Sequence, residues 1–504
     1  LITDPDNLFD EEIGIYTEEN AFNSGSDWER PVHVEYFEPD GGQKIKQDAG
    51  LRIHGGATRK NAQKSLRLYA KNEYSDKNIF SHDFFDSLEK RNNTGYVKSF
   101  KRLNLRAAGD GWYRTMFDDA FMQSLVAPLG SFDTQAYKPS VIFLNGEYYG
   151  IQNIRERYDR YYYQSHYDID PEDLVVLKGN ARLSEGKNKD VYHYKNMLDN
   201  IERNPLNIKE NYEWLKTMID LDSFRDYFVT EIYFGNADWP HNNIRFWRKT
   251  TDSYEENAPY GHDGRWRWSM YDTDAGFYFK DEEVGHKDVT VGHKEYDWNH
   301  KHNTIDWVMD EIDGRTGEKT WPNFLFRSVM ENEEFFNQFL NRMSDLINTI
   351  FLEDEVNNQL DSFEAGIRDE MPHHIERWGA IKSMESWHHL INNKRIFAKE
   401  RPAYIRKYII DEFDLEGTVS VNIANETDEG LVRLNEIDIA NELPGNNGDK
   451  IWSGTYFKNI PLTLEAVPKE GYEFSHWKNL DHQDKTAEIT PSEDLLIEAV
   501  FKEK

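Results

Sequence analysis

Asp238 and Asn243 stand five residues apart in "NADWPHNNIRFWR", and Asp272 and Asp274 stand two apart in "MYDTDAGF". Phosphoryl transfer needs residues of these types. A carboxylate orients or deprotonates the attacking hydroxyl, and hard oxygen ligands hold Mg2+ against the phosphates. Neither pair is specific alone, so their order along the chain carries the reading. The loop bearing Asp238 follows an apolar helical run closed by Gly235. The aromatic runs "NIRFWRK" and "RWRWSMYD" then flank the polar stretch 252–264. They predict a hairpin that delivers the second acid pair beside the first. The same residues also serve as ordinary turn and capping residues, and the pattern alone leaves both readings open.

Protein kinases use a D-x-x-x-x-N loop after a helix, then a hairpin, then a second metal-side Asp. Asp238, Asn243 and Asp272 follow that order. A phosphate site also needs positive charge. "RIHGGATRKNAQKSLRLYA" concentrates Arg52, Arg59, Lys60, Lys64 and Arg67 around the Gly55-Gly56 pair. A glycine turn lets backbone N–H groups approach phosphate, and Lys64 supplies a point charge. Glu156, in "IRERYD", is the expected partner that fixes Lys64. The bland alternatives are a solvated edge hairpin for the basic run and a surface carboxylate between Arg155 and Arg157 for Glu156. The G-K-[ST] of a Walker A loop is absent.

These residues need elements to position them. The chain has 504 residues, enough for two to four domains, and 60 basic against 92 acidic side chains give a formal charge of −32. Such a field repels nucleic acid and anionic lipid. It favours protein partners that are neutral or basic. There is no cysteine, so disulfides, thiolate zinc sites and cysteine nucleophiles are excluded. No apolar run is long enough to span a membrane. "LITDPDNLF" reads as the start of a trimmed chain, and the lack of cysteine fits an exported bacterial surface protein.

Along the chain, residues 1–185 read as a β-rich unit. Its clearest signal is "PSVIFLNGEYYGIQNIRERYD", two alternating runs about the favoured Asn145-Gly146 turn. "YRTMFDDAFMQSLVAPLG" predicts a helix within it. Residues 186–412 are mostly helical around the 238–274 segment. Residues 415–504 alternate in short strands and predict a small all-β module. The aromatic ladder Phe246, Trp247, Trp266 and Trp268 reads as hairpin core, with a sugar platform as the rival. His373-His374 and His388-His389 read as helix packing rather than metal ligands.

The stretches "AGLRIHGGATRKNAQKSLRLYAK", "VIFLNGEYYGIQNIRERYD", "GNADWPHNN", "WSMYDTDAGF" and "EMPHHIERWG" resemble the CotH kinase family, the spore coat protein H-like proteins. The resemblance covers most of residues 1–412. It implies an α+β fold, a two-lobe atypical protein kinase with a β-rich N-lobe and helical C-lobe, using ATP and Mg2+ (or Mn2+) to phosphorylate Ser/Thr of proteins. Carried over, Asp238 is similar to the catalytic acid, with Lys64 as the phosphate-contacting lysine. Asn243, Asp272 and Asp274 are similar to the metal-side residues. Arg52, Gly55, Gly56, Thr58, Arg59 and Glu156 fall in the nucleotide-binding stretches. Ala237, Pro240 and His54 depart from the family pattern. The C-terminal segment resembles bacterial surface repeat modules, which implies an extracellular or wall-associated setting with cell-wall or glycan contact. A non-catalytic surface scaffold, a glycan-associated protein and a carbohydrate-active enzyme using paired carboxylates are the rival functions.

Overall fold

Two-residue alternation builds the first sheet. The structure, a computed structural model, describes residues 1–277, 290–291, 294–295, 299–311, 321–424, 428–440, 443 and 451–504. Parts of the expected 186–412 and 415–504 units therefore lie outside the described residues. Strands β1 (Arg30–Phe37), β2 (Gln43–His54), β3 (Ser65–Tyr69), β4 (Arg102–Arg106), β5 (Tyr137–Leu144) and β6 (Glu147–Arg155) pair antiparallel in the order β1-β2-β3-β4-β6-β5. Ile45, Ala49, Leu51, Leu66, Leu68, Leu103, Leu105 and Ile154 share one apolar cluster on one face of this sheet. The residues between them alternate onto the opposite face. There Arg52 lies opposite Arg67, Arg67 opposite Asn104, and Asn104 opposite Arg155. Asn145 (φ 54) and Gly146 (φ 84) close β5–β6 in the left-handed conformation that a two-residue hairpin turn requires.

A second, four-stranded antiparallel sheet runs β8-β7-β9-β10, from β7 (Leu174–Lys178), β8 (Arg182–Glu185), β9 (Arg245–Lys249) and β10 (Arg267–Ser269). The boundary expected at residue 185 falls within this sheet, because β7 pairs with β9 across the helical run that separates them in sequence. Phe246, Trp247, Trp266 and Trp268 are all buried. Their rings fill the hairpin's two faces and are closed to any sugar.

Helices α1 (Asp118–Val126), α2 (Arg160–Tyr167), α3 (Asn188–Arg203), α4 (Lys209–Lys216) and α5 (Leu221–Phe234) interleave with the strands. Helices α6 (Thr304–Met309), α7 (Trp321–Met330), α8 (Glu333–Ile347), α9 (Glu353–Ile367), α10 (Met371–Trp378) and α11 (Met384–Phe413) follow. The helix expected from Tyr113 onward starts only at Asp118. Arg114 Nε and the Thr115 hydroxyl both turn onto the Asp118 carboxylate, and Met116 sits at φ 73, so the approach is an irregular loop. His374 packs as expected, its Nδ1 accepting from the Ile151 N–H at 3.1 Å. No helix among the described residues is long and apolar enough to cross a membrane.

α5 carries the loop of interest and is tied at both ends. Asp220 caps its N-terminus, and Gly235 ends it in the left-handed region. Near the C-terminus the buried Arg401 guanidinium, from α11, donates to the Ile232 and Tyr233 carbonyls and to the Thr304 hydroxyl. Near the N-terminus Asp226 holds Arg225 and Arg342.

The chain ends in strands β11 (Thr418–Ala424), β12 (Gly430–Leu434), β13 (Ile437–Ile439), β14 (Ile451–Phe457), β15 (Leu462–Pro468), β16 (Tyr472–Lys478), β17 (Thr486–Ile489) and β18 (Leu495–Glu503). They form two four-stranded sheets, β14-β11-β18-β16 and β13-β12-β15-β17, around an apolar cluster of their own. Polar contacts seat them on the helices. Arg225 grips Glu436 with two nitrogens, and Asn348 Nδ2 donates to the Thr455 carbonyl. Asp345 Oδ1, on α8, accepts from Tyr456 Oη at 2.8 Å and Asn435 Nδ2 at 3.1 Å, while its Oδ2 is buried without a partner.

Burial pushes the Asp345 carboxyl up to about 7. The folded chain therefore keeps a proton that the unfolded chain releases above the ordinary carboxylate range. This contribution to stability declines as pH rises from about 4 to about 7. Asp345→Asn keeps an acceptor oxygen and removes the titration. Thermal melts should show a smaller loss of stability between about pH 5 and about pH 8 in that variant than in the unmutated chain.

Candidate active site

α5 ends at Gly235, and the chain turns at once into the 236–243 loop. Asn236 organises it from within. Its Nδ2 donates to Glu231 Oε2 at 2.8 Å, and its Oδ1 accepts from the Asp238 N–H at 3.2 Å. Glu231 is fully buried, and burial pushes its carboxyl up to about 8 against the pull of the Asn236 hydrogen bond. Trp239 packs into the core and donates to Tyr227 Oη, so the loop's centre is anchored while Asp238 stays half-exposed.

The hairpin β9–β10 then brings the second acid pair to this loop. Asn243 Nδ2 donates to Asp238 Oδ2 at 2.9 Å and to the Asp272 carbonyl at 3.3 Å. One side chain thereby links the two acidic segments. Asn243 (φ 54) and Asp272 (φ 58) both lie in the left-handed region, which is costly for residues with a Cβ. Such conformations persist where surrounding contacts over-determine them, and they cluster at functional sites.

The counter-charge is Arg106, at the end of β4. Its guanidinium donates to Asp272 Oδ1, to Asp274 Oδ2 at 2.9 Å, and faces Asp119. Burial opposes the Arg106 charge, but Asp272, Asp119 and Asp274 more than offset it and hold its pKa well above the ordinary value. Asp274 also accepts from the Asp110 N–H. Burial, then repulsion from Asp272, pushes the Asp274 carboxyl well above the ordinary range in spite of Arg106 and Arg114. Asp119 ties the arrangement to the first sheet by accepting from Arg155 Nη1 at 2.7 Å and from the Thr273 N–H at 2.9 Å.

These groups line a cavity of about 450 Å³. Its walls include Asp238, Asn243, Asp272 and Asp274 on one side, and His54, Gly55, Gly56, Thr58 and Arg106 on the other. Burial and the nearby Arg67 push the His54 imidazolium well down, so the ring is neutral and its Nδ1 accepts from Arg67. Seven of the sequence-picked residues thus meet in one cleft.

Four do not line it. Lys64 Nζ turns back onto the Arg59 and Asn61 carbonyls at 2.6 and 3.3 Å. Arg59 is held by the carbonyls of Ala21, Asn23 and Gly55. Arg52 is paired with the buried Glu29. The expected Lys64–Glu156 pair is replaced: Glu156 accepts from the Ala136 N–H and pairs with His166 Nε2 at 2.7 Å. Lys64 precedes β3 on the far side of the glycine turn, and Glu156 follows β6 toward α2, so the two diverge. Sequence reasoning missed Arg106, the cation that does serve the acids, although its face was signalled. In "RLNLR" the period of two puts Arg106 and Asn104 opposite the core leucines 103 and 105.

Two carboxylates and an amide oxygen are hard donors suited to a Mg2+-like ion, which takes one or two carboxylates and leaves its other positions to phosphate and water. Among the described residues no group of three His, Cys, Asp or Glu side chains converges as a self-contained metal cage.

The family model described as "CotH kinase protein" matches residues 51–405, and the chain belongs to that family. A search of curated proteins gives no match. The chain is thus a kinase-like protein.

A divalent cation held by Asp274 would have to displace the proton that its raised pKa retains. Mg2+ or Mn2+ affinity should then increase with pH above the ordinary carboxylate range, with proton release on binding. Titration calorimetry in buffers of different ionisation heat checks this. Asp274→Asn should bind more weakly and lose the proton release.

Proposed function

We propose that the chain is an ATP- and Mg2+-dependent protein kinase that transfers the γ-phosphate to Ser or Thr hydroxyls of secreted, coat or cell-surface proteins. The six-stranded sheet would serve as one lobe and the helical body with the β7–β10 sheet as the other. The C-terminal strands would form a separate module. The observation that carries the reading is the meeting of the Asp238 loop and the Asp272 turn through Asn243, in one cleft with the glycine turn.

In this reading Asp238 orients the acceptor hydroxyl at the cavity mouth and takes its proton. The acceptor oxygen bonds to the γ-phosphorus as the bridging bond to the β-phosphate breaks, and ADP leaves. Asn243 sets the rotamer of Asp238 through its 2.9 Å hydrogen bond. Asp272, Asp274 and the amide oxygen of Asn243 would hold Mg2+, whose chemistry is to neutralise the phosphate oxygens as charge shifts. Arg106 keeps the two acids close without letting their repulsion open the turn. Gly55, Gly56 and Thr58 line the same cavity, and their backbone N–H groups and hydroxyl would meet the phosphates there.

The scaffold reading differs in one observable, nucleotide affinity. Asp238→Asn should retain ATP–Mg2+ binding and lose about 100-fold or more of radiolabel transfer to protein. Asp272→Ala should lose both. Transfer that survives in Asp272→Ala overturns the assignment, and an absence of nucleotide binding in the unmutated chain supports the scaffold.

A further inference from the structure

The register of the second sheet places Arg182 directly opposite Lys178, and Lys178 directly opposite Arg245. Three cations thus stand in one row across β8, β7 and β9. Like charges opposite one another destabilise a sheet. Several other cations of this chain are matched to acids: Arg52 to Glu29, Arg155 to Asp119, Arg267 to Asp263. With 92 acidic to 60 basic residues, carboxylate partners are in surplus. Yet none of the three cations pairs with a carboxylate among the described residues. Arg245 instead lies over the Tyr271 ring at 3.7 Å, and Lys178 and Arg182 face solvent. Burial and then its two arginine neighbours lower the Lys178 pKa, as an unsatisfied cation in a like-charged row requires.

The row lines the same cavity as Asp238 and Asp272. Its direction separates it from the phosphate end. Asp272 follows β10, whereas the row starts on β9, two residues after Asn243, and runs through β7 to β8, away from β10. Neighbouring strands are about 4.8 Å apart, so the row extends about 10 Å. An extended peptide covers that length in about three residues.

We propose that Arg182, Lys178 and Arg245 form a subsite for the acceptor protein, binding acidic side chains within about three residues of the hydroxyl presented to Asp238. This rests on the kinase reading for the role of Asp238. It replaces the basic acceptor that the overall charge favours: the row attracts, at the cleft alone, a segment that the rest of the surface repels. The field of the whole chain sets the long-range encounter, and the row selects at contact.

The test uses the full chain and two fluorescein-labelled serine peptides, one flanked by glutamates and one by lysines. Binding is read by anisotropy at about physiological salt, where long-range repulsion is screened. The double variant Lys178→Glu/Arg182→Glu changes only solvent-facing side chains. It should bind the glutamate peptide about tenfold or more weakly, with ATP–Mg2+ affinity within about twofold of the unmutated chain. Unchanged affinity for the glutamate peptide overturns the subsite. So does a lack of measurable binding by the unmutated chain, or a parallel loss of ATP–Mg2+ binding, which would make the row part of the nucleotide site. If the expected binding pattern appears but neither peptide accepts radiolabel, the catalytic reading fails and the acidic subsite stands.

Discussion

The site depends on one buried guanidinium. Arg106 comes from the first sheet, while Asp272 and Asp274 come from the turn after β10 and Asp119 from α1. Two carboxylates this close cannot both ionise in a buried place without compensation. A single Arg with several donors in a planar fork supplies part of it, the raised Asp274 carboxyl keeping a proton, and fixes geometry at the same time. Asp119 then passes the constraint on, to Arg155 on β6 and to the Thr273 N–H. The glycine turn and the acidic turn face each other because the strands behind them are joined by this charge network. Asp272, in the left-handed region, keeps its conformation through Arg106 on its side chain and Asn243 on its carbonyl.

Much of this was legible because it is local. Asn145-Gly146 dictates its hairpin, Gly235 ends α5, and the aromatic runs on either side of 252–264 pair as expected. The D-x-x-x-x-N spacing and the acid pair after the hairpin gave the acidic half of the cleft by residue number. What period-two patterning cannot give is the partner across the fold. Arg106 and Asp272 are 166 residues apart, and no local rule joins them. Lys64 shows the reverse error. Its type and its nearness to a glycine pair suggested a phosphate contact, but five residues of loop curl back and its ammonium satisfies their carbonyls. The Lys178 row was hidden for the same reason as Arg106, since register between β7 and β9 is a property of the folded sheet.

The acid excess of the chain looks at first like a poor setting for the phosphate site proposed at its cleft. Besides the cations satisfied by backbone carbonyls, two groups bear on this. One is spent internally, on Glu29, Asp118, Asp119, Asp226 and Asp263, where each arginine or lysine offsets a buried carboxylate. The other is left at the cleft. A few cations without carboxylate partners act at contact, while distant carboxylates are screened within about 8 Å. Net charge therefore describes solubility and encounter for this chain, and says little about what its cleft accepts.

α5 connects the cleft to the C-terminal strands. Its 14 residues span about 21 Å. One end carries Asp226 and Arg225, locked to Arg342 and Glu436 at the seat of those strands. The other carries Glu231, Gly235 and the loop of Asp238, held by Arg401 from α11. A helix tied by charge at both ends behaves as a rigid bar. Removing the C-terminal strands would leave Arg225 and Arg342 with Asp226 as their shared acid partner, and would expose the face on which Asp345 is buried. The cost would fall on α5 and α8 together. The placement of Asp238 thus rests on packing some 20 Å away as much as on its own loop.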